Sequence, residues 1–212
     1  MSAKATETAK PSGTATRAET ATRAETATRA ETAKPLRADA RRNRERIIAA
    51  ARKVFAKHGA GAQVDDIARA AGVGVGTVYR HFPDKDAIMG ELVVSRFRAF
   101  ADNAERALEV DDPWEAFAGL LRQNAELCAR DIGVQQALQR EPAAWALAAP
   151  ELMRLNDLAE ELIRRGQEAG VLRADLVVQD IPMLMGGLMT TMAVPQYDWR
   201  RHFEIILAGL RP

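Results

Sequence analysis

A glycine set between two short apolar periodicities constrains this 212-residue chain more than any other feature. Val64, Ile67, Ala68 and Ala71 fall at i, i+3, i+4 and i+7, which gives one apolar helix face. Gly72 follows, where a helix end asks for a left-handed residue that glycine supplies at least cost. After the turn, Val75, Val78 and Phe82 recur at i, i+3 and i+7, with Thr77, Tyr79, Arg80 and His81 between them. Ala68 is small enough to let the second helix cross the first closely. That is helix-turn-helix spacing, with the polar side of the second helix left for a DNA groove. A plain helical hairpin with a glycine turn is the competing reading, and the flanking residues decide against it.

Upstream, Ile47, Ile48, Ala51, Val54 and Phe55 mark another helix face, which Gly59 ends. Arg41, Arg42, Arg44, Arg46, Arg52 and Lys53 crowd its start and outer side. A charge run is often only a solvated face, but one placed just before a helix-turn-helix favours phosphate anchoring. The overall charge of +1 hides an asymmetry. Residues 1–90 carry 17 Lys and Arg against 10 Asp and Glu, whereas residues 91–212 carry 13 against 19. One end is suited to phosphates and the other is not.

The residues now assembled resemble the DNA-binding domain of the TetR (tetracycline-repressor-like) family. The likeness rests on Phe55-Ala56-Lys57-His58-Gly59, Ile67-Ala68, Ala71-Gly72-Val73, Gly76-Thr77-Val78-Tyr79, His81-Phe82 and Asp84-Lys85, over about residues 40–90. It implies phosphate contacts from Thr77, Tyr79, His81 and Lys85, and base reading from Val75, Gly76 and Arg80, with Tyr79 in part. Gly74 and Gln63 depart from the family, which often places Ser or Thr at these helix starts; glycine is itself tolerated there. The chemistry agrees without the name. Hydroxyls, imidazole and ammonium are good phosphate ligands, and an arginine takes guanine O6 and N7 together. Arg80 as one more phosphate contact stays open beside base readout.

Residues 1–36 form a polar tail in which Thr-Ala-Thr-Arg-Ala-Glu is repeated three times from Thr14 to Glu31. A six-residue period does not match a helix, and no large apolar side chain is available to bury, so the tail is expected to be disordered. A loose arm on DNA is the alternative. Residues 37–90 then form the expected helix-turn-helix domain, and residues 91–212 a helical ligand-binding and dimerisation domain. Pro83 stops the recognition helix, and Asp84 caps a helix reaching about Leu108, with Ile88, Leu92, Phe97 and Phe100 inward. Asp112-Pro113-Trp114-Glu115 starts the next as a capping box. Further helices are expected between Gly133 and Pro142, from Pro150 to Gly170, from about Val177 to Met192, and from Trp199 to Leu210. The fold expected is therefore all-α.

In the body, Met183, Met185, Gly186 and Gly187, with Trp199, Phe203, Ile206, Leu207 and Leu210, offer apolar faces. The resemblance implies that they form a homodimer interface; the monomer core is the other possibility. An effector pocket is implied in the same way. Trp114, Phe117, Asn124, Cys128, Trp145, Leu155 and Met189 are its candidates, although such a stripe also describes ordinary core. Cys128 is the one cysteine, which excludes an intrachain disulfide and suits a reducing, cytoplasmic setting. No apolar run approaches the ~18 residues of a membrane span.

Nothing points to catalysis: no Gly-x-Ser-x-Gly elbow, His-x-x-x-His pair or Walker loop occurs, and neither a metal nor a cofactor is expected. Gly72-Val73-Gly74-Val75-Gly76 lacks both the preceding strand and the glycine spacing of a dinucleotide loop. The reading is a one-component transcriptional regulator, a repressor released from a palindromic double-stranded operator by a small, largely apolar effector. The alternative is a DNA-binding architectural or partner-binding protein that takes no ligand. Deletion of residues 2–36 is expected to leave the melting temperature and the selected DNA sequence unchanged; a melted core would contradict the tail assignment.

Overall fold

A computed structural model describes residues 39–130, 132, 134 and 145–212. The repeat tail of residues 1–36 lies outside them, as does nearly all of the helix expected between Gly133 and Pro142. The chain divides into two compact units between Glu45 and Arg46. In the first, residues 39–45 are helical. The second, Arg46–Pro212, begins with helix α1 (46–58) and a short 3₁₀ turn, Gly59–Gly61. Then come α2 (Val64–Ala71), α3 (Val75–His81), α4 (Lys85–Leu108) and α5 (Pro113–Arg130). α6 (Ala149–Glu168), α7 (Asp180–Met192) and α8 (Trp199–Gly209) complete it. No strand occurs among the described residues, and the fold is all-α.

Local chemistry sets most of these boundaries. Asp84 starts α4 by accepting the Ala87 N–H at 2.7 Å, and Asp198 starts α8 by accepting that of Arg201 at 3.0 Å. Asp112 caps α5 through the Glu115 N–H at 2.8 Å, but the reciprocal half of the expected capping box is missing. The Glu115 carboxylate faces Arg122 instead, at 3.6 Å. α7 begins three residues later than its periodicity suggests. The Asp180 carboxylate accepts the Val177 N–H at 3.0 Å, which holds residues 177–179 in a turn ahead of the helix.

α4 is 24 residues long, about 36 Å, and feeds two apolar clusters. Its first half gives Ile88, Met89, Leu92, Val93 and Phe97 to a core shared with Ile47, Ala51 and Phe55 of α1, Ile67 and Ala68 of α2, and Val78 of α3. Its second half gives Ala104 and Ala107 to a core built with α5, α6, Leu188 of α7 and Phe203 and Leu207 of α8. Burial of each large apolar side chain contributes about 1.5–3 kcal/mol. Arg154 of α6 adds a polar tie to α4, meeting Asp102 at 3.0 Å and Glu105 at 2.6 Å. Those hydrogen bonds raise the pKa of an already permanent guanidinium.

The hinge after α2 is closed by backbone bonds. Val73 N–H donates to the Ala68 carbonyl at 3.1 Å and Gly72 N–H to that of Arg69 at 3.2 Å, the paired bonds of a Schellman end. Gly72 holds φ +64°, and a Cβ there would meet Arg46 Nη2 at 3.1 Å. That guanidinium donates to the Ala71 carbonyl at 2.7 Å, so Arg46 caps α2 instead of joining the phosphate-anchoring run. Gly72→Ala is expected to destabilise the protein by about 1–2 kcal/mol, measured by denaturant unfolding.

Candidate nucleic-acid interface and apolar cavity

α3 is a seven-residue helix held on one side by Val78, which is 1% exposed, and by Phe82 just beyond its end. Fixing these two inward turns Val75, Gly76, Tyr79 and Arg80 outward, at i, i+1, i+4 and i+5. All four are exposed. Gly74 starts the helix without a side-chain cap; its carbonyl accepts from Thr77 at 2.8 Å and from Val78 at 3.2 Å. Thr77 and His81 flank the exposed face and are half-buried. Lys85 stands in the first turn of α4, where the helix dipole disfavours a cation, with its ammonium 5.6 Å from the centre of the Phe55 ring. In the first unit Arg41 pairs with Glu45 at 3.6 Å, Arg42 bonds Asp39, and Arg44 is half-buried.

Arg80 differs from the arginines of the body. Arg98, Arg122, Arg154, Arg164, Arg173 and Arg200 all form ion pairs. No ion pair or hydrogen bond among the described residues engages the Arg80 guanidinium. An exposed guanidinium beside Tyr79 on a short, firmly seated helix has the chemistry to reach a base edge or a phosphate oxygen.

The second feature is a cavity of about 270 Å³ between α4, α5, α6 and α7. Phe117, Asn124 and Cys128 come to it from α5, Leu155 from α6, Met189 from α7, and Trp145 from the segment before α6. Six of the seven sequence candidates are thus brought together. Trp114 is not: it lies near the start of α5, packed beside the second core, under the Arg211 guanidinium at 3.8 Å. Periodicity placed it on the right face but ignored that the cavity begins one turn further on. Reasoning from sequence missed Phe97, Phe100, Asn156, Val178 and Met185 in the lining. For Phe97 and Phe100 the signal was present, since both were read as inward-facing. Phe97 meets Trp145 edge-on, with centroids 5.5 Å apart. Asn124 is the polar handle and accepts the Asn103 side-chain N–H at 2.8 Å. Among the described residues no cluster of His, Cys, Asp and Glu could hold a metal ion. No described helix is long and apolar enough to cross a membrane.

Residues 47–92 match the family model of bacterial regulatory proteins, tetR family. Residues 112–212 match that of the transcriptional regulator SbtR-like C-terminal domain. The crystal structure of the TetR transcription regulatory protein from Mycobacterium vanbaalenii is 36% identical, with a TM-score of 0.64. It aligns over 84% of this chain and 100% of its own. The chain belongs to the TetR family of bacterial transcriptional regulators. FadR from Bacillus subtilis, crystallised in complex with stearoyl-CoA, is 25% identical over 77% of this chain and 95% of its own, with a TM-score of 0.64. Among curated relatives, the uncharacterized HTH-type transcriptional regulator TtgW of Pseudomonas putida is 38% identical over 85 residues, 40% of this chain. SrpR, from the same species, is 38% identical over the same length. The chain spans 63% of the former's length and 40% of the latter's.

In this TetR-family chain the apolar faces of α7 and α8 divide three ways. Phe203, Leu207 and Leu210 are buried in the protomer's own core, so they do not present a surface. Met185 turns to the cavity. Met183 and Gly187 are exposed or nearly so, Gly186, Trp199 and Ile206 are half-buried, and Trp199 carries the Arg200 guanidinium 4.3 Å over its ring. Ile205, which the sequence reading passed over, is 55% exposed. Two apolar stripes wind around α8, and sequence spacing alone does not say which turns inward. Leu207→Ala is expected to cost about 2–5 kcal/mol of folding stability at any protein concentration. Chemical unfolding at two concentrations checks this; a purely concentration-dependent loss would return Leu207 to an interface.

Proposed function

We propose that this regulator is a homodimeric repressor that binds palindromic double-stranded operator DNA in the cytoplasm and leaves it when a small apolar effector fills the cavity. The exposed guanidinium of Arg80 on α3, which has no ion pair among the described residues, is the observation that carries the DNA half of this reading. Val75, Gly76 and Tyr79 share its face, and Thr77, His81 and Lys85 flank it as phosphate ligands. The arginines at 41, 42 and 44 supply further phosphate contacts on their own account. Two such faces would read half-sites about one DNA turn (~34 Å) or a multiple apart.

The dimer half draws on α7 and α8. Met183 and Ile205 are large exposed apolar groups, and a Cβ added at Gly186 or Gly187 would meet nothing within 4 Å among the described residues. Close packing among the described residues therefore does not explain the two glycines, which supports packing against a second copy over a tight contact within the chain. The effector half draws on the cavity, which is apolar, largely enclosed by four helices, and at the small end of ligand sites. A whole acyl-CoA of the kind bound by FadR exceeds it, so the effector is a compact molecule. Binding can shift operator affinity only by its preference for one of the two states.

Selection of bound fragments from a random DNA library tests the reading. The expected consensus is a palindrome. Arg80→Ala is expected to relax one position per half-site by about 1–3 kcal/mol, and Tyr79→Phe to weaken all sequences alike. An unchanged sequence preference in the Arg80 variant would remove it from base readout. If no compound in a broad apolar panel stabilises the protein or releases DNA, the ligand-independent architectural reading replaces the repressor.

A further inference from the structure

Asn103 on α4 and Asn124 on α5 are the buried polar side chains among the described residues, 6% and 7% exposed. A buried amide is costly unless its donors and acceptor are met, so the bonds these two make dictate how each is oriented. The chain of bonds starts at the surface. The Arg106 guanidinium donates to Asn103 Oδ1, and Asn103 Nδ2 donates to Asn124 Oδ1 at 2.8 Å. A guanidinium has donors only, so the atom facing Arg106 must be an oxygen. That choice leaves the nitrogen of Asn103 facing Asn124, and it must find an oxygen there. The polarity of the whole relay is set from outside inward, and its last free group is Asn124 Nδ2. Asn124 lines the cavity, and no hydrogen bond among the described residues takes that nitrogen.

We propose that Asn124 Nδ2 is the oriented donor of the cavity, and that the effector is a compact apolar molecule bearing a carbonyl or carboxylate oxygen directed at it. Asn103 is then a positioning residue, which sets which edge of Asn124 the ligand meets without lining the cavity itself. This inference rests on the cavity being the effector site.

The relay predicts a reversal. In Asn103→Asp the carboxylate has no proton to give Asn124, so Asn124 turns its nitrogen to Asp and its oxygen to the cavity. The test uses the 212-residue chain, isothermal calorimetry and three near-isosteric probes. 1-Indanone offers a carbonyl acceptor, indole an N–H donor, and indane neither. The native protein is expected to bind 1-indanone on the order of tenfold more tightly than indole. Asn103→Asp is expected to invert that ratio, and Asn124→Leu to bind all three within a factor of about two. Should Asn103→Asp fail to fold by circular dichroism, Asn124→Asp presents a carboxylate oxygen to the cavity and is expected to give the same inversion. Should both fail, the native ratio against that of Asn124→Leu decides. A native protein that does not prefer 1-indanone, or a folded aspartate variant with an unchanged ratio, overturns the relay while leaving the cavity reading intact. If none of the three binds, the cavity reading falls and takes this inference with it.

Discussion

The burial of α4 against two different cores is the constraint on which the rest of the structure depends. One helix of 24 residues carries Ile88, Leu92 and Phe97 into the cluster that seats α2 and α3, and Ala104 and Ala107 into the cluster that seats α5 and α8. An α-helix resists bending, so the seating of α3 and the walls of the cavity share one rigid element. Phe97 belongs at once to the first core and to the cavity lining. A change in the cavity thus acts on a side chain that belongs to the same apolar cluster as Val78.

Arginines do much of the finishing at helix ends. Arg46 caps α2 through the Ala71 carbonyl, and Arg165 of α6 caps the end of α4, donating to Leu108 and Val110 carbonyls at 2.9 and 3.0 Å. A helix leaves its last carbonyls unpaired, and a guanidinium with several donors can meet two of them from a neighbouring element. Such bonds fix where one helix ends relative to the next. They also remove those arginines from any part in binding anions, which is why a count of basic residues overstates what is presented to DNA. The same donor-only chemistry, turned inward through Arg106, orients the two buried asparagines.

Much of this was legible in the sequence because its causes are local. The glycine hinge, the Asp84 and Asp112 starts, the length of α4 and the inward Val78 and Phe82 follow from capping chemistry and a 3.6-residue period. So does the exposed face of α3, since fixing two inward residues on a short helix fixes the remainder. The errors are of another kind. Trp114 and Phe117 share a helix face, yet only Phe117 reaches the cavity, because the crossing of four helices decides where empty space lies. On α8 the sequence offered Phe203, Leu207 and Leu210 as a surface, whereas the chain turns that stripe inward and leaves Ile205 out.

Order along the chain was thus enough to set most of the helices and most of their ends, because those depend on residues within about a turn of one another. Packing of the helices was needed to choose which apolar stripe of α8 meets the core, which arginines are used as caps, and which lining residues surround a common space. It also set the direction of the Arg106–Asn103–Asn124 relay. Asn103 and Asn124 lie on different helices, and nothing in their spacing along the chain brings them within 2.8 Å. Packing does that, and the donor-only guanidinium then leaves a single arrangement in which both buried amides are paired.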